Sequence, residues 1–142
     1  MAQYLTPHFT LEEFQRSKTA RILQVDNIAP LDAVINIRTL CESVLEPLRE
    51  HIGKPVMITS GYRCPELNKA IGGAEKSQHM KGQAADIVVK GMTVQELAEA
   101  IMASAPGFDQ LILEPSWVHV SWRSADKNRN QVLDLQKKWE KK

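Results

Sequence analysis

The chain has 142 residues, a formal net charge of +1 and a hydrophobic fraction of 43%. That length is typical of one domain that buries its own core. The balanced charge argues against nucleic acid as a partner, because domains that bind nucleic acid usually carry a basic excess. We therefore predict a single domain over residues 1–142.

We expect neither an export signal nor a transmembrane segment. Its first residues, Met1–Pro7, lack the basic segment and apolar run of a signal peptide. No stretch approaches the roughly 20 apolar residues that a spanning helix needs. We expect synthesis in the cytoplasm, with the delivery route to any substrate outside the cell left open.

The first helix has a well-marked start. Thr10 and Glu13 form a capping box, and Phe9 and Phe14 are placed to form the hydrophobic staple around it. These signals predict a short helix over Leu11–Arg16.

An irregular segment is expected to follow as far as Pro30. Apolar residues then recur at helical spacing and predict a second helix from Pro30 to Leu48. Glu46-Pro47 is expected to mark its end, because the residue before a proline disfavours helical geometry. Cys41 lies on the apolar face of this helix, and Cys64 lies in a loop. Two such different settings favour free thiols.

The middle and end of the chain alternate short strands with helices. Strands are predicted at Val56–Ile58, Ala84–Val89, Gln110–Glu114 and Trp117–Trp122, and helices are predicted from Pro65 and from Thr93 to Ser104. The last two strands are joined at Pro115-Ser116 as an antiparallel hairpin. The fold class is therefore α+β, with a small, mainly antiparallel sheet flanked by helices.

Residues 123–142 are interpreted as a C-terminal extension. Val132, Leu135 and Trp139 recur at helical spacing and predict that the extension is helical.

The strongest chemical signal is a set of two histidines and one carboxylate. His79 lies on the loop that enters a strand, and Asp86 and His119 each interrupt an apolar strand. A charged Asp is costly to bury in such a strand unless it is paired or bound to a metal. Two histidines and a carboxylate suffice for catalytic zinc, whose fourth position stays open. Taken singly, each residue has an ordinary structural alternative, such as a hydrogen-bonded histidine or a turn-capping aspartate.

The pattern Ser77-x-His79-x-x-Gly82-x-Ala84-x-Asp86, followed by Trp117-x-His119, resembles the D-alanyl-D-alanine carboxypeptidase family of zinc peptidases. That family is related to hedgehog-like and lysostaphin-like metallopeptidases and includes phage endolysins. The resemblance covers a motif-bearing core of about residues 8–122. It implies that His79, Asp86 and His119 bind zinc, that Arg63 binds substrate and stabilises the oxyanion, and that Ser77 contributes to substrate binding.

The sequence departs from the family at the general base. Many members place a glutamate three residues before the second histidine, but here that position falls in the turn Pro115-Ser116. With that turn, Glu114 pairs with Trp117, and Ile112 pairs with His119. Glu114 then shares a face with His119 and lies diagonal to it, at roughly 7–8 Å. We interpret Glu114 as the base.

The resemblance implies a zinc-dependent peptidase that hydrolyses peptidoglycan peptides, either at a terminal D-alanine or at an internal bond. A small phage-type lytic enzyme is consistent with the absent signal peptide. The alternatives are a non-catalytic zinc-binding module and a structural phage component that retains the peptidase fold. Asp109, the competing acid, falls on the opposite strand face from Glu114, so Asp109→Asn is expected to have only a mild effect on activity.

Overall fold

The structure is a computed structural model, and it describes residues 2–137. The elements in this range are β1 (Tyr4–Thr6), β2 (Phe9–Thr10), α1 (Leu11–Gln15), α2 (Lys18–Leu23), α3 (Leu31–Leu40), α4 (Glu46–Ile52), β3 (Met57–Ser60), α5 (Pro65–Ala70), β4 (Ala84–Val88), α6 (Val94–Ser104), β5 (Gln110–Leu113), β6 (Val118–Ser121) and β7 (Gln131–Asp134). A π-helical turn, Cys41–Leu45, joins α3 to α4, and a 3-10 turn, Gln78–Lys81, precedes β4. Among the helices described, none has the length and apolar character needed to cross a bilayer.

Five strands form one sheet in the order β3-β4-β6-β5-β7. Neighbouring strands in it are antiparallel except β5 and β7, which run parallel. Strands β1 and β2 form a separate antiparallel pair. The predicted α+β class with a mainly antiparallel sheet is confirmed.

One face of the five-stranded sheet packs in the core, and the other forms the candidate site. Side chains alternate along each strand, so every second residue faces the helices. The core-facing set is fully or almost fully buried and comprises Ala85, Ile87, Leu111, Leu113, Val118 and Val120. It packs in one apolar cluster with residues of α1, α3, α4 and α6. The opposite face carries Asp86, Ile112 and His119, and this face forms the candidate site.

The predicted start of α1 is confirmed in detail. Thr10 and Glu13 form both hydrogen bonds of the capping box. Phe9 and Phe14 are buried on the core side of the same turn, as the staple requires.

The predicted end of the second helix at Glu46-Pro47 is wrong, because the helical path continues to Ile52. Pro47 has no backbone N–H and crowds the carbonyl four residues earlier, which would normally break the helix. The chain accommodates it in a widened turn, where the Glu46 N–H bonds to the Cys41 carbonyl five residues back. Such a π-turn keeps the helix continuous.

The segment expected to be irregular contains the short helix α2. The Ser17 hydroxyl accepts a hydrogen bond from the Ala20 N–H and caps its start. Gln24 ends the helix in the left-handed conformation, with φ 57°. The apolar stripe that reveals longer helices is absent here, so local capping is the main signal.

The predicted C-terminal helix is wrong over residues 131–134, which form strand β7. This strand lies parallel to β5, with Val132 paired to Leu111 and Leu133 to Ile112. Residues 131–134 form a strand in spite of the helical spacing of Val132 and Leu135, because the open edge of β5 offers them backbone hydrogen bonds. A local sequence pattern cannot reveal such a distant partner. Trp139, the third residue of that pattern, lies outside the described residues.

Candidate active site

His79 is positioned by a tight turn that leads into β4. The Ser77 hydroxyl accepts a hydrogen bond from the His79 N–H at 3.2 Å and begins the 3-10 turn. Gly82 ends the turn with φ 73°, and a Cβ there would lie 2.4 Å from the Ala33 carbonyl oxygen of α3. Glycine is therefore required for the turn to pack this closely against α3.

The orientation of the His79 ring is fixed by the backbone. Its Nδ1 lies 2.7 Å from the Gly61 carbonyl oxygen and donates to it. Because Nδ1 is occupied by this bond, Nε2 is the ring nitrogen that could bind a metal. The Gly61 backbone can approach because it packs against Phe14, where a Cβ would lie 2.7 Å from the Phe14 backbone.

Asp86 and His119 face each other directly across β4 and β6. The His119 Nδ1 lies 2.9 Å from Asp86 Oδ1, and the His79 Nε2 lies 3.4 Å from the same oxygen. The potential ligand atoms of the three residues all lie within 4.8 Å of one another. The structure therefore brings the three predicted ligands together at one point.

The electrostatics of this point suit a cation. Burial alone would raise the pKa of Asp86, but hydrogen bonds and charge from His119 and His79 hold it well below its usual range. Asp86 is therefore ionised at ordinary pH and supplies negative charge. Two imidazole nitrogens and one carboxylate oxygen match the donor set of catalytic zinc sites, which keep a further position open.

Arg63 lies beside this point and is held from three directions. Its Nε donates to the Ser60 hydroxyl at 3.3 Å, and its Nη1 donates to Asn68 Oδ1 at 3.3 Å. Its Nη2 lies 3.7 Å from Asp86 Oδ2. Burial lowers the pKa of Arg63 and the charge of Asp86 opposes that effect, so the guanidinium stays charged. These contacts aim a rigid cationic group at the site.

Glu114 reaches the same cavity through the hairpin register. Ile112 pairs with His119, and the Glu114 N–H donates to the Trp117 carbonyl at 3.0 Å, as predicted. The cavity has a volume of about 450 Å³, and Glu114 and Trp117 both line it. Within residues 2–137, the Glu114 carboxylate has no ion-pair partner.

All the predicted site residues line this one cavity, namely Arg63, Ser77, His79, Asp86, Glu114 and His119. The Ser77 hydroxyl already accepts the His79 N–H, so its contribution to substrate binding stays a prediction. The roles of the other residues in metal binding and catalysis are taken up below as proposals.

Sequence reasoning missed a buried network behind the cavity. Asp109 is fully buried and receives two guanidinium hydrogen bonds from Arg129, at 2.9 and 2.8 Å. The Gln78 amide also donates to it, at 3.0 Å, and both Gln78 and Arg129 line the cavity. Asp109 does lie on the face opposite Glu114, but it is a paired structural group. This pairing gives Asp109→Asn a cost in folding stability, whereas its mild effect on activity stays a prediction.

Comparison with known proteins decides the family. A family model described as Peptidase M15 matches residues 7–121, which is most of the chain. The chain belongs to the M15 peptidase family. His79, Asp86 and His119 could hold a metal ion, and two histidines with one carboxylate match the donor set of catalytic zinc.

Two M15 relatives are similar over about half of this chain. One is the peptidoglycan L,D-endopeptidase MepK of Escherichia coli K12, which is 32% identical over 72 residues, 47% of this chain and 40% of MepK. The other is the zinc D-Ala-D-Ala carboxypeptidase of Streptomyces albus G, which is 35% identical over 69 residues, 48% of this chain and 26% of the relative. The matched regions thus span less than half of either relative.

Proposed function

We propose that this protein hydrolyses peptide bonds in bacterial peptidoglycan, with His79, Asp86 and His119 holding zinc. The observation that carries the proposal is the convergence of three ligand atoms within 4.8 Å in a cavity also lined by Arg63 and Glu114. The names of the two relatives support the substrate class, since one names peptidoglycan and the other a D-Ala-D-Ala peptide.

Glu114 acts in this proposal as the general base. Zinc, when bound, supplies a Lewis acid and lowers the pKa of a water molecule. Glu114 has a carboxylate without an ion-pair partner in the described residues, so it can accept the proton of the attacking water and return it to the leaving amine. Its position beside Trp117, on the strand face of His119, places it along the same cavity wall.

Arg63 acts as the anion-binding group. Its planar fork is held by Ser60 and Asn68 before substrate arrives, so little reorganisation is needed during the reaction. The guanidinium stabilises the negative oxygen that develops on the scissile carbonyl or binds a substrate carboxylate.

The test is mass spectrometry of purified peptidoglycan fragments after incubation with zinc-loaded protein. Loss of one terminal alanine identifies a carboxypeptidase, and two peptide products identify an endopeptidase. The Glu114→Gln protein and a metal-free sample are the negative controls. Intact fragments with a fully zinc-loaded protein would instead identify a non-catalytic zinc-binding module.

A further inference from the structure

A second groove adjoins the cavity of the candidate active site and shares Arg63 with it. It has a volume of about 370 Å³ and is enclosed by residues 16–21, the end of β3 with the residues after it, and α5. We call it the basic groove, because Arg16, Lys18 and Arg21 line it together with Arg63.

Three of the four cations of the basic groove are not neutralised by an ion pair within residues 2–137. No acidic side chain is among its lining residues. Arg16, Lys18 and Arg21 are exposed and have no ion-pair partner in this part of the chain. The groove therefore offers several free cations to an anionic ligand.

Helix α2 presents two of these cations together. Ser17 caps the helix, which fixes its start, and Lys18 and Arg21 are three residues apart. Residues at that spacing lie on the same side of a helix, where like charges repel. No carboxylate in the described residues forms an ion pair with Lys18 or Arg21, and a bound anion would reduce this repulsion.

The surface of the basic groove suits a peptide better than a bare phosphate. Tyr62 and Leu67 are buried and line it together with Ile58, so part of the surface is apolar. Thr19 and Thr59 also line it and add hydroxyl groups between the apolar and charged regions. A peptide with carboxylate side groups matches all three kinds of surface.

We propose that the basic groove binds the carboxylate-bearing continuation of the wall peptide whose cleaved bond lies at the metal site. The inference rests on the proposed function and specifies its substrate. Because Arg63 borders both cavities, a chain held there can continue into the groove, where its carboxylates pair with Lys18 and Arg21.

The test compares two purified cross-linked wall peptides that differ only in the carboxyl groups of the segment that continues from the cleaved bond. In one peptide the carboxyl groups of this segment are free, and in the other they are amidated. Binding is measured by calorimetry on zinc-loaded Glu114→Gln protein, in which turnover does not interfere. We expect the free-carboxylate peptide to bind roughly three- to tenfold more tightly. Lys18→Glu and Arg21→Glu, added together to the Glu114→Gln protein, give the groove variant. This variant should lose the preference for the free-carboxylate peptide.

A matched control reverses Arg123 and Lys127 to glutamate in the same background. Both residues are exposed and neither lines the two cavities, so the preference should persist although the net charge changes equally. Should the groove variant fold poorly, Lys18→Gln with Arg21→Gln provides the milder test. Zinc content and circular dichroism verify that each variant is folded.

Three results would overturn the inference. They are equal binding of the two peptides by the parent protein, an unchanged preference in the groove variant, and loss of the preference in the control variant too. In the second case, weakened binding of a phosphate-bearing wall polymer by the groove variant would assign the groove to that polymer instead. Cleavage by the wild-type protein is measured separately. If the peptide preference depends on the groove but no cleavage is found, the proposed function is rejected and peptide binding in the basic groove is retained.

Discussion

Ile112 lies directly opposite His119 across strands β5 and β6. Because side chains alternate along a strand, this pairing places Glu114, two residues after Ile112, on the same face as His119. A slip of one residue would turn Glu114 into the core and bring its neighbour to the cavity. The register is therefore what makes Glu114 available to the site.

We predict that Glu114→Gln keeps zinc and loses roughly 10²- to 10⁴-fold in kcat, the usual contribution of a positioned general base. The amide is nearly the same size but cannot accept the proton. The matched control is Glu66→Gln, an exposed position on α5 that does not line the cavity. Turnover of a wall peptide near the wild-type level in zinc-loaded Glu114→Gln protein would remove Glu114 from the mechanism.

We predict about one zinc per chain in the purified protein and little in His79→Ala, Asp86→Ala or His119→Ala variants, since three protein ligands hold catalytic zinc. Metal analysis by mass spectrometry measures this directly. His51 is exposed and lies outside the cavity lining, so His51→Ala should retain zinc fully. Normal zinc content in all three ligand variants would disprove the ligand set.

We predict that Arg63→Lys retains zinc but loses about 10- to 100-fold in kcat/KM, because an ammonium cannot reproduce the planar fork. The guanidinium meets Ser60, Asn68 and Asp86 in three directions, and a lysine nitrogen cannot hold all three. Steady-state kinetics with a wall peptide provides the measurement. The control is Arg38→Lys, at an exposed position on α3. Unchanged kinetics would reduce Arg63 to a structural residue.

Local rules were sufficient to predict the elements that position the ligands. The predicted capping box at Thr10 is present, and a second one at Thr93 begins the helix predicted from that residue; each depends on residues three apart. The turn at Pro115-Ser116 fixed the β5–β6 register, because a short hairpin leaves few alternatives. The convergence of the three candidate ligands was indicated for Asp86 and His119 by the apolar strands that they interrupt, and for His79 by the family pattern.

The features that were missed depend on contacts between distant residues. Strand β7 forms because β5 has an open edge, and its partner begins 18 residues further along the chain than the end of β5 at Leu113. The Asp109–Arg129 pair joins residues 20 positions apart, and no motif connects them. The π-turn at Cys41–Leu45 is a response to Pro47 in a helix that packing keeps continuous.

We predict two free thiols per chain, with different reactivity. Cys41 is fully buried, and burial raises the pKa of its thiol further from neutrality, so it should react only after unfolding. Cys64 is partly exposed and should react in the folded protein. Titration with a thiol reagent, with and without denaturant, measures both. A count of zero in denaturant would reveal a disulfide.

The last prediction concerns Asp109, whose carboxylate joins Arg129 to the metal-site turn through Gln78. Asp109→Asn removes the charge and turns an amide N–H toward the N–H donors of Arg129 or Gln78. We therefore expect the free energy of unfolding to fall by about 1–3 kcal/mol at neutral pH. Urea denaturation measures it. Asp26→Asn, at an exposed position, should change stability by less than about 0.5 kcal/mol.

The pH dependence of that loss identifies its cause. Hydrogen bonds from Arg129 hold the pKa of Asp109 below its ordinary value, although burial opposes them. A carboxyl whose pKa is lower in the folded state contributes stability above its unfolded pKa, about 3.9, and loses it as pH falls through the folded pKa. The difference between wild type and Asp109→Asn should therefore be constant from about pH 5 to 8 and shrink below about pH 4. Both proteins are measured in the metal-free form, so zinc release in acid does not contribute to the difference. A difference that persisted undiminished at the lowest pH would attribute the loss to packing and not to the ionised pair.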